Sequence, residues 1–219
     1  MMAAFPAYIA VEGPIGVGKT SLARRIAEDF GTELLLEDPS ENPFLERFYD
    51  NPRAAALPTQ LFFLLQRTRQ MAQFKQGDIF RPVQVADFLI EKDRLFAEVT
   101  LDDDEYALYE QVYEQLTIEA PTPDLVIYLQ APVKVLMERV GKRGRGYERL
   151  IDRAYLQRLS EAYTDFFYHY SDAPLLIVNA AEIDFVNNES DYRNLLEMIA
   201  GIKTGRHYYN PLPFNLDRP

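Results

Sequence analysis

Short apolar runs alternate along the chain with longer stretches in which apolar residues return every third or fourth position. The runs at 8–11, 34–36, 83–86, 124–129 and 175–178 lack the strict two-residue alternation of a strand with one wet face. They predict buried strands of a parallel sheet. Between them the pattern predicts helices over 20–30, closed by Gly31, then 42–49, 59–76, ended by Gly77, and 88–99. Further helices are predicted over 103–118, where the acidic start suits a helix N-terminus, over 132–140, from the basic loop 142–146 to about 170, and over 190–200. The tail after Asn210 holds three prolines and reads as irregular. Strand and helix alternate throughout, and no repeat or low-complexity linker interrupts them. The expectation is one α/β domain over 1–219, three layers deep, with a five-stranded parallel sheet. Ligands of such sheets bind at the carboxyl ends of the strands.

Composition narrows the classes. A content of 47% apolar and 26% charged residues over 219 positions suits one globular core. The net charge of −11 argues against a nucleic-acid polymer as partner. The chain has no cysteine, which excludes disulfides and thiolate metal sites and fits a cytoplasmic location. Its start has no basic segment followed by an apolar core, as a signal peptide would, and no apolar run is long enough to span a bilayer. His169 and His207 lack metal-ligand spacing.

The first predicted strand runs into Gly13-Pro14-Ile15-Gly16-Val17-Gly18-Lys19-Thr20, which matches the phosphate-loop pattern G-x-x-x-x-G-K-[ST]. Gly13, Gly16 and Gly18 let successive amides, including that of Val17, turn toward phosphate oxygens. Lys19 adds charge near the β- and γ-phosphates, Thr20 offers a hydroxyl to Mg²⁺, and Ser21 follows on the same helix end. ATP and Mg²⁺ are the implied cofactors. Glu37 and Asp38 follow the second strand, where a carboxylate could take a proton from an attacking hydroxyl; a solvated turn before Pro39 is the other reading. Asp87 follows the third strand, as a Mg²⁺ ligand or as the cap of the next helix.

Several motifs in order resemble the deoxynucleoside kinase family over about residues 8–170. The residue before Pro39, nineteen after Lys19, is Asp38, which the resemblance makes the general base, with Glu37 as the alternative. Phe48-Tyr49-Asp50-Asn51-Pro52 and Pro58-Thr59-Gln60 are similar to the stretch in which a Tyr holds the sugar 3′-hydroxyl and a Gln reads the base. By that likeness Tyr49 and Gln60 bind substrate, with Phe44 near the base. Arg67 and Asp93, seven after Gln60 and six after Asp87, match the pair that favours purines or cytosine over thymine, and Phe96 is placed to stack on the base. Arg139-Val140-Gly141-Lys142-Arg143-Gly144-Arg145 is similar to the family lid, expected at 141–148, whose Arg139, Arg143 and Arg145 would stabilise charge while Glu148 meets the 3′-hydroxyl.

The main departure from the family is a lost arginine. The family's acid-arginine-serine motif reads Asp87-Phe88-Leu89 here, and Lys92, one helical turn on, is expected to supply part of the missing charge. The resemblance thus implies transfer of the γ-phosphate of ATP to the 5′-hydroxyl of a deoxynucleoside, in a homodimer. A nucleoside monophosphate kinase and a non-catalytic nucleotide-binding relative are the alternatives.

Overall fold

The computed structural model describes residues 5–75, 84–117 and 120–210, with no account of the side chains of 73–75. Six strands make one parallel sheet: β1 (Tyr8–Glu12), β2 (Leu34–Leu35), β3 (Gln84–Ala86), β4 (Leu125–Gln130), β5 (Leu175–Asn179) and β6 (Arg206–Tyr209). Their order is β2-β3-β1-β4-β5-β6. The central strands are the most apolar because helices cover both of their faces. All five residues of β1 are buried, as are the first five of β4. Ile9 pairs with Val85 on one side and Leu125 on the other, so the apolar rows of three strands run in register through the core.

The connections are helical: α1 (Lys19–Phe30), α2 (Leu45–Asp50), α3 (Pro52–Lys75), α4 (Lys92–Thr100), α5 (Asp103–Thr117), α6 (Val133–Arg143), α7 (Arg153–His169) and α8 (Glu189–Gly201). The strand order has a direct consequence for chemistry. β2, β3 and β1 lie side by side, so the residues just past their carboxyl ends become neighbours. These are Glu37, Asp87 and the loop from Gly13, which are far apart in sequence.

Among the departures from the pattern-based expectation are a strand and two helix starts. The sheet has a sixth strand: β6 pairs with β5 alone, Leu175 opposite Arg206. An edge strand buries little, so its residues, Arg-His-Tyr-Tyr, carry no apolar run to announce it. α3 starts at Pro52 and passes through Pro58, where a proline would ordinarily mark a boundary. Pro52 occupies the first helical position, where its missing N–H costs nothing. α4 starts at Lys92, four residues late: 88–91 is a tight turn in which Leu89 O accepts from Lys92 N at 3.2 Å. The expected helix end at Gly77 and the irregular tail past Asn210 lie outside the described residues.

Candidate active site

The loop after β1 approaches its neighbours too closely for side chains at two places. A Cβ on Gly13, whose φ is +145°, would stand 2.2 Å from Leu129 O. One on Gly16, at φ +84°, would stand 2.9 Å from Leu136 O. Glycine is therefore required at both positions of this loop, which leads into the N-terminus of α1. Lys19 folds back over this loop, its Nζ donating to Gly13 O at 2.6 Å. Its pKa is drawn down to about 8, because burial and the nearby Lys92 outweigh the carboxylate of Glu12 and those beyond it.

Two cavities meet at the loop. One, of about 300 Å³, is walled by Lys19, Thr20, Glu37, Asp87, Lys92 and the lid residues among others. The second, of about 720 Å³, lies on the other side, between Val17, Gly18, Ser21, Arg139 and the segment 181–187 that follows β5. Gly16 and Arg143 belong to both. Arg139 is a strut at the back of the larger space, donating to Val17 O at 3.0 Å and Ala180 O at 2.8 Å.

The two candidate bases have different surroundings. Glu37 sits inside the smaller cavity and is ion-paired with Arg67 and with Lys92, the latter at 2.7 Å. Burial alone would raise its pKa, but the two cations override it and hold the carboxyl at about 2. Asp38 is exposed at the cavity rim. Its Oδ1 is occupied with Ser40, accepting from the amide at 3.0 Å and from the hydroxyl at 2.5 Å, which caps the 3-10 turn Pro39–Glu41. Those two bonds depress its pKa. Both carboxylates line the cavity, Glu37 held by Arg67 and Lys92 and Asp38 by Ser40.

Thr20 Oγ1 donates to Asp87 Oδ2 at 2.6 Å, and Asp87 Oδ1 accepts from Glu37 N at 2.8 Å. Burial raises the Asp87 pKa. No group of three or more His, Cys, Asp or Glu side chains able to hold a metal occurs among the described residues. A hydroxyl and one carboxylate beside a phosphate loop nonetheless suit Mg²⁺, which takes few protein ligands and keeps waters and phosphate oxygens.

Arg67, buried on α3, also pairs with Asp93, which has no exposure on α4. Tyr49 and Phe96 line the smaller cavity, whereas Phe44, Gln60 and Asp93 are not among its walls. Gln60 donates to Thr100 Oγ1 at 3.1 Å, and Phe44 packs edge-on to Phe62. Gln60 Oε1 and Asp93 Oδ2 are buried acceptors without a donor.

The lid segment is partly helical. α6 reaches Arg143, which grips Glu148 with two bonds of 3.0 and 2.5 Å, and Tyr147 lies parallel to the Tyr49 ring at 6.4 Å. Arg145 reaches Tyr147 Oη at 3.1 Å and stands 3.8 Å from Glu148.

Two further segments adjoin the loop without carrying a motif. Glu12, fully buried beneath the loop, was signalled only as an acid ending an apolar strand. The segment 181–187 lacks a motif, though its place after a parallel strand could have marked it.

A glycine loop on a helix N-terminus, a lysine folded over it and a carboxylate in the adjoining cavity fit a P-loop phosphotransferase. Comparison with known proteins agrees. A model of the deoxynucleoside kinase family matches residues 9–202. A deoxyguanosine kinase of Bacillus subtilis is 36% identical over 197 residues, covering 86% of this chain and 93% of that one. The deoxyadenosine/deoxycytidine kinase of the same organism is 29% identical, covering 89% and 92%. A structure of deoxyadenosine kinase from M. mycoides with bound dCTP superposes with a TM-score of 0.76 at 26% identity, covering 89% of this chain and all of that one. The chain belongs to the deoxynucleoside kinase family, and it is an ATP-dependent enzyme that phosphorylates a nucleoside to its monophosphate.

Proposed function

We propose that the larger cavity takes ATP, the smaller one the deoxynucleoside, and that transfer takes place where the two adjoin, at Gly16 and Arg143. The observation on which the reading rests is that both cavities are lined by Gly16 of the phosphate loop and by Arg143. The loop amides and Lys19 hold the phosphates. Thr20 and Asp87 would hold Mg²⁺, which offsets phosphate charge. The 5′-oxygen forms its bond to the γ-phosphorus as the bond from that phosphorus to the leaving oxygen of ADP breaks. The hydroxyl proton goes to Glu37, ionised at working pH, and the bonding electron pair leaves with ADP. Lys92, Arg143 and Arg145 offset the charge of the moving group. Tyr49 and Glu148 address the sugar. The lid is 141–148, and residues 1–219 act as one cytoplasmic domain in a homodimer.

The base is a purine or cytosine. The Arg67–Asp93 pair supports this reading: Arg67 lines the cavity, and Asp93, buried on α4, is paired with it. The relatives named for deoxyguanosine, deoxyadenosine and deoxycytidine fit this reading. Assayed with ATP and the four deoxynucleosides, the enzyme gives kcat/KM at least about 100-fold higher for one of deoxyguanosine, deoxyadenosine or deoxycytidine than for thymidine. Thymidine as the best substrate, or a deoxynucleoside monophosphate preferred to all four, overturns it.

The pH profile follows from the charges. Lys19 must be protonated to hold phosphate, and its charge is lost as pH rises through about 8. The value of kcat/KM for ATP therefore falls above about pH 8, and Lys19→Arg moves that limb out of range. Glu37, ionised above about 2, adds no limb between about pH 4 and 7. An acid limb in that window that disappears in Glu37→Gln would contradict the assignment.

A further inference from the structure

Glu12 has no solvent exposure, and four groups meet its carboxylate. Oε1 accepts from Gly13 N at 2.9 Å and from Tyr163 Oη at 2.8 Å. Oε2 accepts from Leu89 N at 2.7 Å and stands 3.9 Å from Lys92 Nζ. Each partner belongs to a different working segment. Gly13 opens the phosphate loop. Leu89 lies in the turn that delays the start of α4 to Lys92. Tyr163 sits on the helix after the lid and packs edge-on to Phe96, a wall of the acceptor cavity. Lys92 reaches Glu37.

We infer that Glu12 is a positioning residue for phosphoryl transfer, acting chiefly through Lys92. The bond to Leu89 N holds residues 88–91 in a tight turn and so sets the point from which the Lys92 side chain departs. The negative charge of Glu12 then draws the ammonium inward from one side while Glu37 holds it from the other. A carboxylate out of water is tolerated only when its oxygens are bonded and its charge is met, and here both conditions are filled by the machinery of transfer. Displacing a catalytic group by about 1 Å is enough to cost about 100-fold in rate, which sets the expected size of the effect.

This inference rests on the role proposed for Lys92, and a double-mutant cycle separates the two. Glu12→Gln keeps the shape and can still accept from Gly13 and Tyr163. It removes the charge beside Lys92 and turns an amide N–H toward the N–H of Leu89. The expected result is a folded enzyme with KM for ATP and for the deoxynucleoside within about threefold of the parent and kcat down about 100-fold. In a Lys92→Met background the same substitution lowers kcat by no more than about threefold, because the group it positions is gone. Equal factors in the two backgrounds, or a normal kcat in Glu12→Gln beside a depressed Lys92→Met, sink this inference alone. A normal kcat in Lys92→Met sinks the role of Lys92 and this route with it. Should Glu12→Gln not fold, Tyr163→Phe frees one bond to Oε1 while keeping the charge, and its kcat loss must again shrink without Lys92; an additive or absent loss overturns the proposal.

Discussion

Replacing Glu37 by glutamine lowers kcat about 1000-fold, while Asp38→Asn stays within about threefold of the parent. The two residues are adjacent in sequence, yet only Glu37 meets the cations of the cavity wall. Glu37 is fixed by Arg67 and Lys92, whereas Asp38 spends its side chain on Ser40. An amide at position 37 keeps the size but cannot take the proton from the attacking hydroxyl. The reaction is followed by ADP release under saturating ATP and deoxynucleoside, with KM values recorded separately. A large kcat loss in Asp38→Asn with a mild one in Glu37→Gln would reverse the assignment.

Arg67→Met destabilises the protein by about 4 kcal/mol at neutral pH, because removing one member of a buried charge cluster leaves its partners uncompensated. Arg67 is 3% exposed and Asp93 0%. Without the guanidinium, Asp93 loses the cation paired with it, and among the described residues Glu37 keeps Lys92 as its ion-pair partner. For a chain of this length the loss corresponds to a fall of roughly 10 °C in Tm.

The sign of its pH dependence follows from Glu37. The folded pKa of Glu37 lies below its unfolded value, so its stabilising share is present above the unfolded pKa and lost as pH falls through about 2. The stability gap between parent and variant therefore narrows on acidification from about pH 4 downward. Adding Asp93→Leu to Arg67→Met recovers part of the loss, since an apolar residue leaves no charge to compensate. Calorimetric melting of the three proteins across pH provides the check. A Tm within about 3 °C of the parent for Arg67→Met would show that the cluster contributes little.

How far the site could be read in advance depended on where its information was stored. The phosphate loop is contiguous, and each of its positions has a local reason, so Gly13 to Thr20 stood out without any fold. The central strands were equally plain, because burial on both faces leaves only apolar residues to use. The acceptor side was harder. A one-residue choice between Glu37 and Asp38 turns on which side chain faces the sheet end, and both suit a turn before Pro39. The family spacing favoured Asp38, but the carboxylate that meets Lys92 and Arg67 is Glu37. Gln60 and Phe44 are placed at the substrate by resemblance alone, and the structure adds only that Gln60 donates to Thr100 and Phe44 packs on Phe62.

The amino-acid order by itself determined the alternation of strand and helix, the phosphate loop and the acidic, cysteine-free character of the chain, because each follows from neighbouring residues or from totals. Only the tertiary structure decided what lies across the opening from Lys19. The order β2-β3-β1 brings Glu37, Asp87 and Glu12 together from positions up to 75 residues apart. Burial then makes their charges depend on one another, so Glu37 is acidic because Arg67 and Lys92 arrive from two other helices. The edge strand β6 and the turn at 88–91 were settled the same way, by a partner strand and by a buried carboxylate that no local pattern names.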